Sequence, residues 1–202
     1  MVNSNITDTY SIIDSWTKTK AKILDLGCGD GSLLQRLIQA KSVCGYGVDI
    51  NADNIQACIN KQVNVIEQNL DQGLDNFEDN SFDTVIMSQT LQTMLYPDKV
   101  LKEMTRIGQE CIVTIPNFGH WRARCHLLFK GRMPVSDILP YEWYNTPNIH
   151  FCTFKDFELL CAELSIQVMD KQVVTSGMLS RNFISLNPNL LGETALFRVR
   201  AS

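Results

Sequence analysis

The sequence predicts an α/β fold with a doubly wound, mostly parallel sheet of seven strands. Short apolar segments alternate with amphipathic segments of about ten residues, which is typical of parallel strands joined by right-handed helical crossovers. The segment 23–26, apolar except for Asp25, runs into three alternate glycines, Gly27, Gly29 and Gly31. A second apolar segment ends on the carboxylate of Asp49. A glycine turn followed by an acid at the next strand tip indicates a pocket for a nucleoside.

The elements follow in chain order from the spacing of the apolar residues. Residues 8–18 predict a leading helix that packs on the sheet, and Ser32 and Asn51 are placed to cap the helices after the first two strands. Pro97 and Gly108 mark the start and the end of the helix before the fifth strand. The seven predicted strands lie at residues 23–26, 46–49, 63–66, 82–87, 111–115, 166–174 and 195–199, with a helix at 153–164 before the last two.

The composition is that of an ordinary globular chain. Its 202 residues are 45% hydrophobic and 20% charged, so we expect residues 1–202 to form a single domain. A formal net charge of −4 weighs against a nucleic-acid partner. The N-terminus has no signal-peptide pattern, and no run approaches the roughly 20 apolar residues of a membrane helix. We therefore expect a cytoplasmic protein with no membrane association.

The cysteine content also supports a cytoplasmic protein. There are seven, an odd number, scattered along the chain without a CxxC pair. This usage predicts free thiols in a reducing cytoplasm and neither a disulfide framework nor a metal site.

The spacing of the glycines separates three kinds of nucleotide site. A phosphate-binding loop would need Gly-Lys-Ser/Thr beginning five residues after Gly27, where the sequence has Ser32 and no lysine nearby. The dinucleotide pattern G-x-G-x-x-G would also need a glycine at that position. The observed G-x-G-x-G suits a ligand without a pyrophosphate, and Asp49 can accept hydrogen bonds from both ribose hydroxyls.

With these features, residues 22–115 resemble the class I S-adenosylmethionine (SAM) methyltransferase family, which implies a Rossmann-like sheet. The resemblance implies that SAM, or its demethylated product S-adenosylhomocysteine (SAH), is bound along one edge of the sheet. The implied cofactor-binding residues are Asp25, Gly27, Cys28, Gly29, Asp49, Ile50, Asn69, Leu70, Ser88 and Gln89.

The resemblance also implies a binding role for most of these residues. Asp25 and the backbone of the glycine turn would hold the amino-acid end of SAM, Asp49 the ribose, and Ile50 one face of the adenine. Ser88 and Gln89 would line the methionine moiety.

Asn69 and Leu70 occupy the position that reads the adenine edge in this superfamily. An aspartate is frequent there, so Asn69 is a departure. An amide oxygen can still accept a hydrogen bond from the adenine amino group.

The segment of residues 116–150 indicates one particular family within this superfamily. It contains four of the six prolines, all three histidines and two of the three tryptophans, but no clear strand. Its blocks PNFGHWRxR, GRMPV and WYNTPNIH, followed by TFKDFELLC, identify the chain as similar to the methionine biosynthesis protein MetW family. We expect this segment to be an inserted lid or an interaction segment. Tryptophan and tyrosine among arginines, if exposed, are typical of a protein interface.

Two functions follow from the resemblance. The first is a role in methionine biosynthesis, in which the chain binds SAM and acts with, or activates, a homoserine O-acyltransferase. The second is active methyl transfer to an unidentified small-molecule acceptor. In that case residues 116–150 would form the acceptor pocket, and the candidate catalytic groups are His120 and His150 as a base and Tyr144 as a helper.

Overall fold

The protein is described by a computed structural model, which covers residues 4–136, 141–175 and 186–202. Seven strands form one sheet in the order β3-β2-β1-β4-β5-β7-β6. Their bounds are β1 (Lys22–Leu26), β2 (Cys44–Asp49), β3 (Asn64–Glu67), β4 (Phe82–Ser88), β5 (Gly108–Pro116), β6 (Ile166–Val174) and β7 (Thr194–Ala201). The first five strands are parallel, and β7 runs antiparallel to both β5 and β6. The predicted α/β fold is confirmed.

The strand order creates a switch point next to β1. The chain builds outward from β1 to β3 and then returns to add β4 on the other side of β1. The turns after β1 and β4 therefore leave the sheet in opposite directions, which opens a crevice at the carboxyl ends of the strands. We call this end of the sheet, where the carboxyl ends of the parallel strands lie, the carboxyl edge.

Helices cover both faces of the sheet and bury two separate apolar clusters. Helices α1, α2 and α3 pack on one face, through residues such as Ile13, Leu34 and Cys58. Helices α4 and α6 pack on the other face, through residues such as Leu101 and Phe157. The helices within the described residues are α1 (Ser4–Trp16), α2 (Ser32–Lys41), α3 (Ala52–Asn60), α4 (Pro97–Ile107), α5 (Trp121–Lys130), α6 (Phe154–Glu163) and the single turn α7 (Pro188–Leu191).

Most predicted element ends lie within a few residues of the observed ones, but the predicted cap of α2 is wrong. Gly31 precedes this helix with φ of 74° and gives it no side-chain cap, and Ser32 is already its first residue. The Ser32 hydroxyl instead donates to Asp30, which also accepts from the Ser32 backbone N–H. Asn51 does cap α3, because its side chain accepts from the backbone N–H groups of Asp53 and Asn54.

The described parts of the segment 116–150 contain one helix, α5, and no strand after β5 ends at Pro116. All seven cysteines lie in described residues and are free thiols. Within the described ranges, no helix has the length and apolar content needed to cross a membrane.

A buried asparagine anchors the start of this segment. The Asn117 side chain donates to the backbone carbonyls of Asn189 (2.9 Å) and Gly192 (2.8 Å) and accepts from the Gly119 N–H (2.9 Å). Its backbone N–H donates to the Glu193 carbonyl at 2.8 Å. These contacts, which we call the Asn117 junction, fasten the turn after β5 to the turn before β7.

We predict that Asn117→Ala lowers the free energy of unfolding by about 2–4 kcal/mol, because two buried carbonyls and one buried N–H lose their partner. Urea denaturation measures this loss. The control is Asn145→Ala, an exposed position of the same segment, which should change stability by about 0.5 kcal/mol or less. Equal effects at the two positions would contradict a structural role for the junction.

Candidate functional site

The turn after β1 holds its three glycines in the left-handed region, with φ of 74° at Gly27, 54° at Gly29 and 74° at Gly31. Residues with a side chain rarely adopt this region. At Gly27 a Cβ atom would also lie 2.4 Å from Cγ2 of Thr90, so the turn passes directly beside the loop after β4. At Gly29 a Cβ atom would meet nothing within 4 Å. The backbone at Gly29 therefore borders open space that a ligand can enter.

The side chain of Cys28 packs into the core. Its Sγ atom lies 3.9 Å from Sγ of Cys58 on α3, and a Cβ atom at Gly47 would come within 2.5 Å of it. Burial, and then the charge of Asp25, raise the pKa of the Cys28 thiol, which keeps it protonated. Cys28 therefore offers a ligand its backbone only.

The Asp49 carboxylate joins two turns at the tip of β2. Its Oδ2 accepts from the backbone N–H of Gly29 at 2.9 Å, and its Oδ1 accepts from the backbone N–H of Asn51 at 2.9 Å. The side-chain amide of Asn54 lies 3.2 Å from Oδ1 and 3.3 Å from Oδ2. Asp49 is 9% exposed. It is thus a nearly buried carboxylate that organises both turns and still reaches the surface of the crevice.

Asp25 is a second carboxyl group in the same place. It is 2% exposed, and its Oδ1 has no hydrogen-bond partner among the described residues. Burial, and then the negative charge of Asp49, raise the pKa of Asp25 to about 7. A buried oxygen without a partner, next to a second acid, is a position where a positively charged group fits.

The residues predicted to meet the adenine differ in what they offer. Ile50 is 62% exposed at the end of β2, so its apolar surface is free to cover a planar ring. Leu70 is buried. The Asn69 side-chain oxygen accepts from the Asp71 N–H at 3.0 Å and starts the short 3₁₀ turn Leu70–Gln72. This oxygen keeps a second lone pair, so Asn69 can offer a ligand both that oxygen and its amide N–H group.

Ser88 and Gln89 end β4 beside β5. The Ser88 hydroxyl lies 3.1 Å from the Thr114 hydroxyl, and the Gln89 N–H donates to that hydroxyl at 3.0 Å. Gln89 has φ of 56°, an uncommon value for a residue with a side chain, and its side chain is exposed. The Thr90 hydroxyl donates to the Ser88 carbonyl at 3.0 Å. These bonds hold the loop after β4 against the end of β5.

The sequence prediction missed Asn54, Thr90 and Thr114. Strand register would have identified Thr114, which pairs with Ser88. Asn54 could have been found from its position three residues after the helix cap Asn51. Thr90 had no sequence signal, because its contact with Gly27 crosses between distant parts of the chain.

The candidate catalytic groups are held by different elements. His120 is 5% exposed, and its side chain donates a hydrogen bond to the backbone carbonyl of Leu191. Burial lowers the pKa of His120, the charge of Arg122 lowers it further, and the charge of Glu193 opposes this shift. His120 therefore belongs to the Asn117 junction and is neutral near pH 7.

The other two candidates are exposed. The backbone N–H of His150 donates to the carbonyl of Gln92, in the 3₁₀ turn Leu91–Thr93 that follows β4. Tyr144 packs edge-on against Trp143, with ring centroids 5.9 Å apart. Of the three groups, only His150 has its backbone bound to an element that leaves β4 at the carboxyl edge.

We predict that Asp25→Asn changes the pH dependence of stability. The folded-state pKa of Asp25 lies above its ordinary value near 3.8, so ionising this group costs the wild-type protein stability as the pH rises from about 4 through about 7. The neutral amide avoids this cost. The free energy of unfolding of the variant relative to wild type should therefore be higher at pH 8 than at pH 5, by a few kcal/mol at most.

Urea denaturation at the two pH values measures this difference, since the titrations that both proteins share cancel. The same relative stability at pH 5 and pH 8 would contradict the raised pKa.

Comparison with known proteins places the chain in a family. The family model described as "Methionine biosynthesis protein MetW" matches residues 7–199. A curated relative, the bifunctional methionine biosynthesis protein MetXA/MetW of Rhodopirellula baltica, is 34% identical over 188 residues. The match covers 87% of this chain and 30% of the relative, so the chain spans less than a third of that protein's length.

Solved structures confirm the fold at low identity. The magnesium protoporphyrin IX methyltransferase of Synechocystis, solved with bound SAH, has a TM-score of 0.69 and 15% identity, with 98% of this chain and 84% of that chain covered. The cyclase SpnF has a TM-score of 0.67 and 16% identity, with 96% and 80% covered. Since one of these proteins is named as a methyltransferase and the other as a cyclase, the shared fold alone does not decide the reaction.

The sheet order, the glycine turn with its strand-tip acid, and the match over residues 7–199 together show that this chain belongs to the MetW family of methionine biosynthesis proteins and has the fold of class I SAM-dependent methyltransferases.

Proposed function

We propose that this chain binds SAM, or SAH, at the carboxyl edge and acts in methionine biosynthesis through a protein partner, a homoserine O-acyltransferase. The observation that carries the proposal is that one chain combines a site suited to SAM with a large apolar surface exposed to solvent. The site supplies ligand binding, and the surface supplies a place for the partner.

The residues at the carboxyl edge fit the parts of SAM. The unpartnered Oδ1 of Asp25 would accept from the ammonium group of the amino-acid end, while Gly29 lets that end approach the backbone. Asp49 would accept from the ribose hydroxyls. Bound SAM would supply a sulfonium methyl group, and the chain's own residues would hold and orient it.

The adenine would lie against Ile50, with Asn69 at its edge. The Asn69 oxygen keeps a second lone pair beside its bond from the Asp71 N–H, so it could accept from the adenine amino group as the usual aspartate would. The Asn69 amide N–H could also donate to a ring nitrogen of the adenine.

The second feature is the aromatic surface, which we define as Leu128, Phe129, Trp143 and Tyr144. These side chains are 77%, 80%, 71% and 71% exposed. They belong to the end of α5 and to the chain after it. Helix α5 buries only Ala123 of its ten residues, so it exposes apolar groups that a surface helix normally packs on its core. Trp143 and Tyr144 contact each other and line one depression with His126 and Lys130 of α5. Exposed aromatic side chains are typical of a protein interface.

The charges around the aromatic surface favour a partner over a second copy of the chain. Lys130 and Arg132 line one depression together with Glu142, Trp143 and Tyr144, so this part of the surface carries two cations and one carboxylate. A symmetric contact between two copies would bring these cations together. A partner with acidic residues around an apolar patch would complement them. The relative named for both MetXA and MetW supports such a partner, because it joins a MetW region to a second named part in one chain.

The test measures acyltransferase rates with and without this chain, each in the presence and absence of SAM. We expect the chain to bind the acyltransferase and raise its rate, and SAM to change that effect. Rates and elution volumes that are unaffected by the chain would overturn the partner role. Transfer of a labelled methyl group to a small molecule, lost in Asp49→Ala, would instead favour the methyltransferase function.

We predict that Gly29→Ala weakens SAM binding by at least about tenfold, because its Cβ atom would enter the open space that the ligand needs. Isothermal titration with SAM and SAH measures the affinity. Gly131→Ala is the matched control, since Gly131 has φ of 59° and equally open surroundings but lies at the end of α5.

Both alanine variants should lose about 1 kcal/mol of stability, because both place a side chain in the left-handed region. Only Gly29→Ala should lose affinity. Equal affinities in the two variants would contradict binding at Gly29.

We predict that the double variant Leu128→Ser/Phe129→Ser weakens binding to the acyltransferase by at least about tenfold, because buried aromatic contacts dominate interfaces. Both residues are exposed, so the fold should be unaffected. Leu159→Ser is the control, as Leu159 is 63% exposed on α6, outside the aromatic surface. A loss of binding in the control alone would assign the interface to α6.

A further inference from the structure

The first turn of α3 has an unusual arrangement of hydrogen bonds. In a common helix start, the side chain of the third helical residue accepts from the backbone N–H of the cap residue. Here Asp49 accepts that bond from the cap residue Asn51. The third helical residue, Asn54, therefore does not accept the bond from the cap residue. Its side-chain amide donates to Asp49 instead.

With Asn54 in place, the Asp49 carboxylate has no acceptor position left for a ligand. Oδ2 receives Gly29 N–H and the Asn54 amide, while Oδ1 receives Asn51 N–H and the same amide. A carboxylate offers about four acceptor positions in total. Two ribose hydroxyls could therefore bind Asp49 only if one of these donors leaves.

Asn54 is the donor that can leave. The N–H groups of Gly29 and Asn51 are backbone groups, fixed by the glycine turn and by the start of α3, and both lie at 2.9 Å. The Asn54 amide lies farther away, at 3.2 and 3.3 Å, and is attached through rotatable bonds. Its side chain is half-buried, so part of it already faces solvent.

We propose that Asn54 substitutes for the ribose hydroxyls in the ligand-free protein and is displaced when a nucleoside binds. This inference rests on the proposed binding of SAM at Asp49. It gives Asn54 two effects: it keeps a nearly buried carboxylate hydrogen-bonded when the site is empty, and it lowers the affinity for any ligand that carries a ribose diol. Asn54 is a positioning residue that sets the affinity of the site.

The test compares wild type with Asn54→Ala by isothermal titration with SAH. Removing the competing amide should tighten SAH binding by about threefold to tenfold, the factor that corresponds to one hydrogen bond between a side chain and a carboxylate. Alanine is the best helix former, so the change should not weaken α3. Asn60→Ala, an exposed position in the last turn of the same helix, should leave the affinity unchanged.

A second pair of ligands tests the cause. Direct titration should show that adenosine binds Asn54→Ala more tightly than wild type, by a similar factor, because adenosine carries the same ribose diol as SAH. The analogue 2′,3′-dideoxyadenosine lacks both hydroxyls and has no reason to displace Asn54, so its affinity should be the same in the two proteins. An equal gain for both nucleosides would overturn the proposal.

The outcomes separate this inference from the proposed function. If wild type binds SAH and Asn54→Ala binds it equally or more weakly, Asn54 is not a competitor and only this inference fails. If neither protein binds SAH, SAM binding at this site fails as well. Binding by Asn54→Ala alone would support the inference in its strongest form.

Discussion

The rest of the site depends on the two hydrogen bonds that the Asp49 carboxylate accepts from backbone N–H groups. It accepts from Gly29 in the turn after β1 and from Asn51 in the turn after β2, so it fixes the distance between the glycine turn and the start of α3. Both donors are backbone groups, so the link depends on a single side-chain rotamer, that of Asp49. The same bond requires a turn that exposes its N–H groups, and this explains why glycines occupy the left-handed positions around it.

A second constraint comes from placing Asp25 close to Asp49. Two acids in a region shielded from water repel each other, and a buried carboxyl with an unpartnered oxygen lowers the stability of the fold at neutral pH. Such arrangements are concentrated at functional sites, where a ligand supplies the missing interaction. The crevice therefore carries an excess of negative charge that a positively charged group would balance. The thiols of Cys28 and Cys58 lie next to it but stay protonated, so they add volume and no charge.

The sequence was sufficient for those features whose cause is local. Alternating apolar segments predicted all seven strands, and the glycine spacing and Asp49 identified the carboxyl edge. Asn51 was predicted as a cap because its donors are the next residues along the chain. The cap at Ser32 was wrong because the neighbouring Asp30 competes for its hydroxyl. The contacts of Asn117 and His120 could not be predicted, since their partners lie about 70 residues away in the turn before β7.

The Asn117 junction has a consequence for how this chain can vary. The segment after β5 begins at Asn117, which binds the carbonyls of Asn189 and Gly192, and its far end returns to the same turn, where the Phe154 N–H donates to the Asn189 side chain. Between these points the Phe118 N–H donates to the Cys152 carbonyl. The long excursion is thus closed at its base, and doubling the length of a closed loop costs only about 0.6 kcal/mol. Insertions and substitutions in its outer part can accumulate without disturbing the sheet, so the exposed surface of this segment can diverge among related chains while the carboxyl edge stays the same.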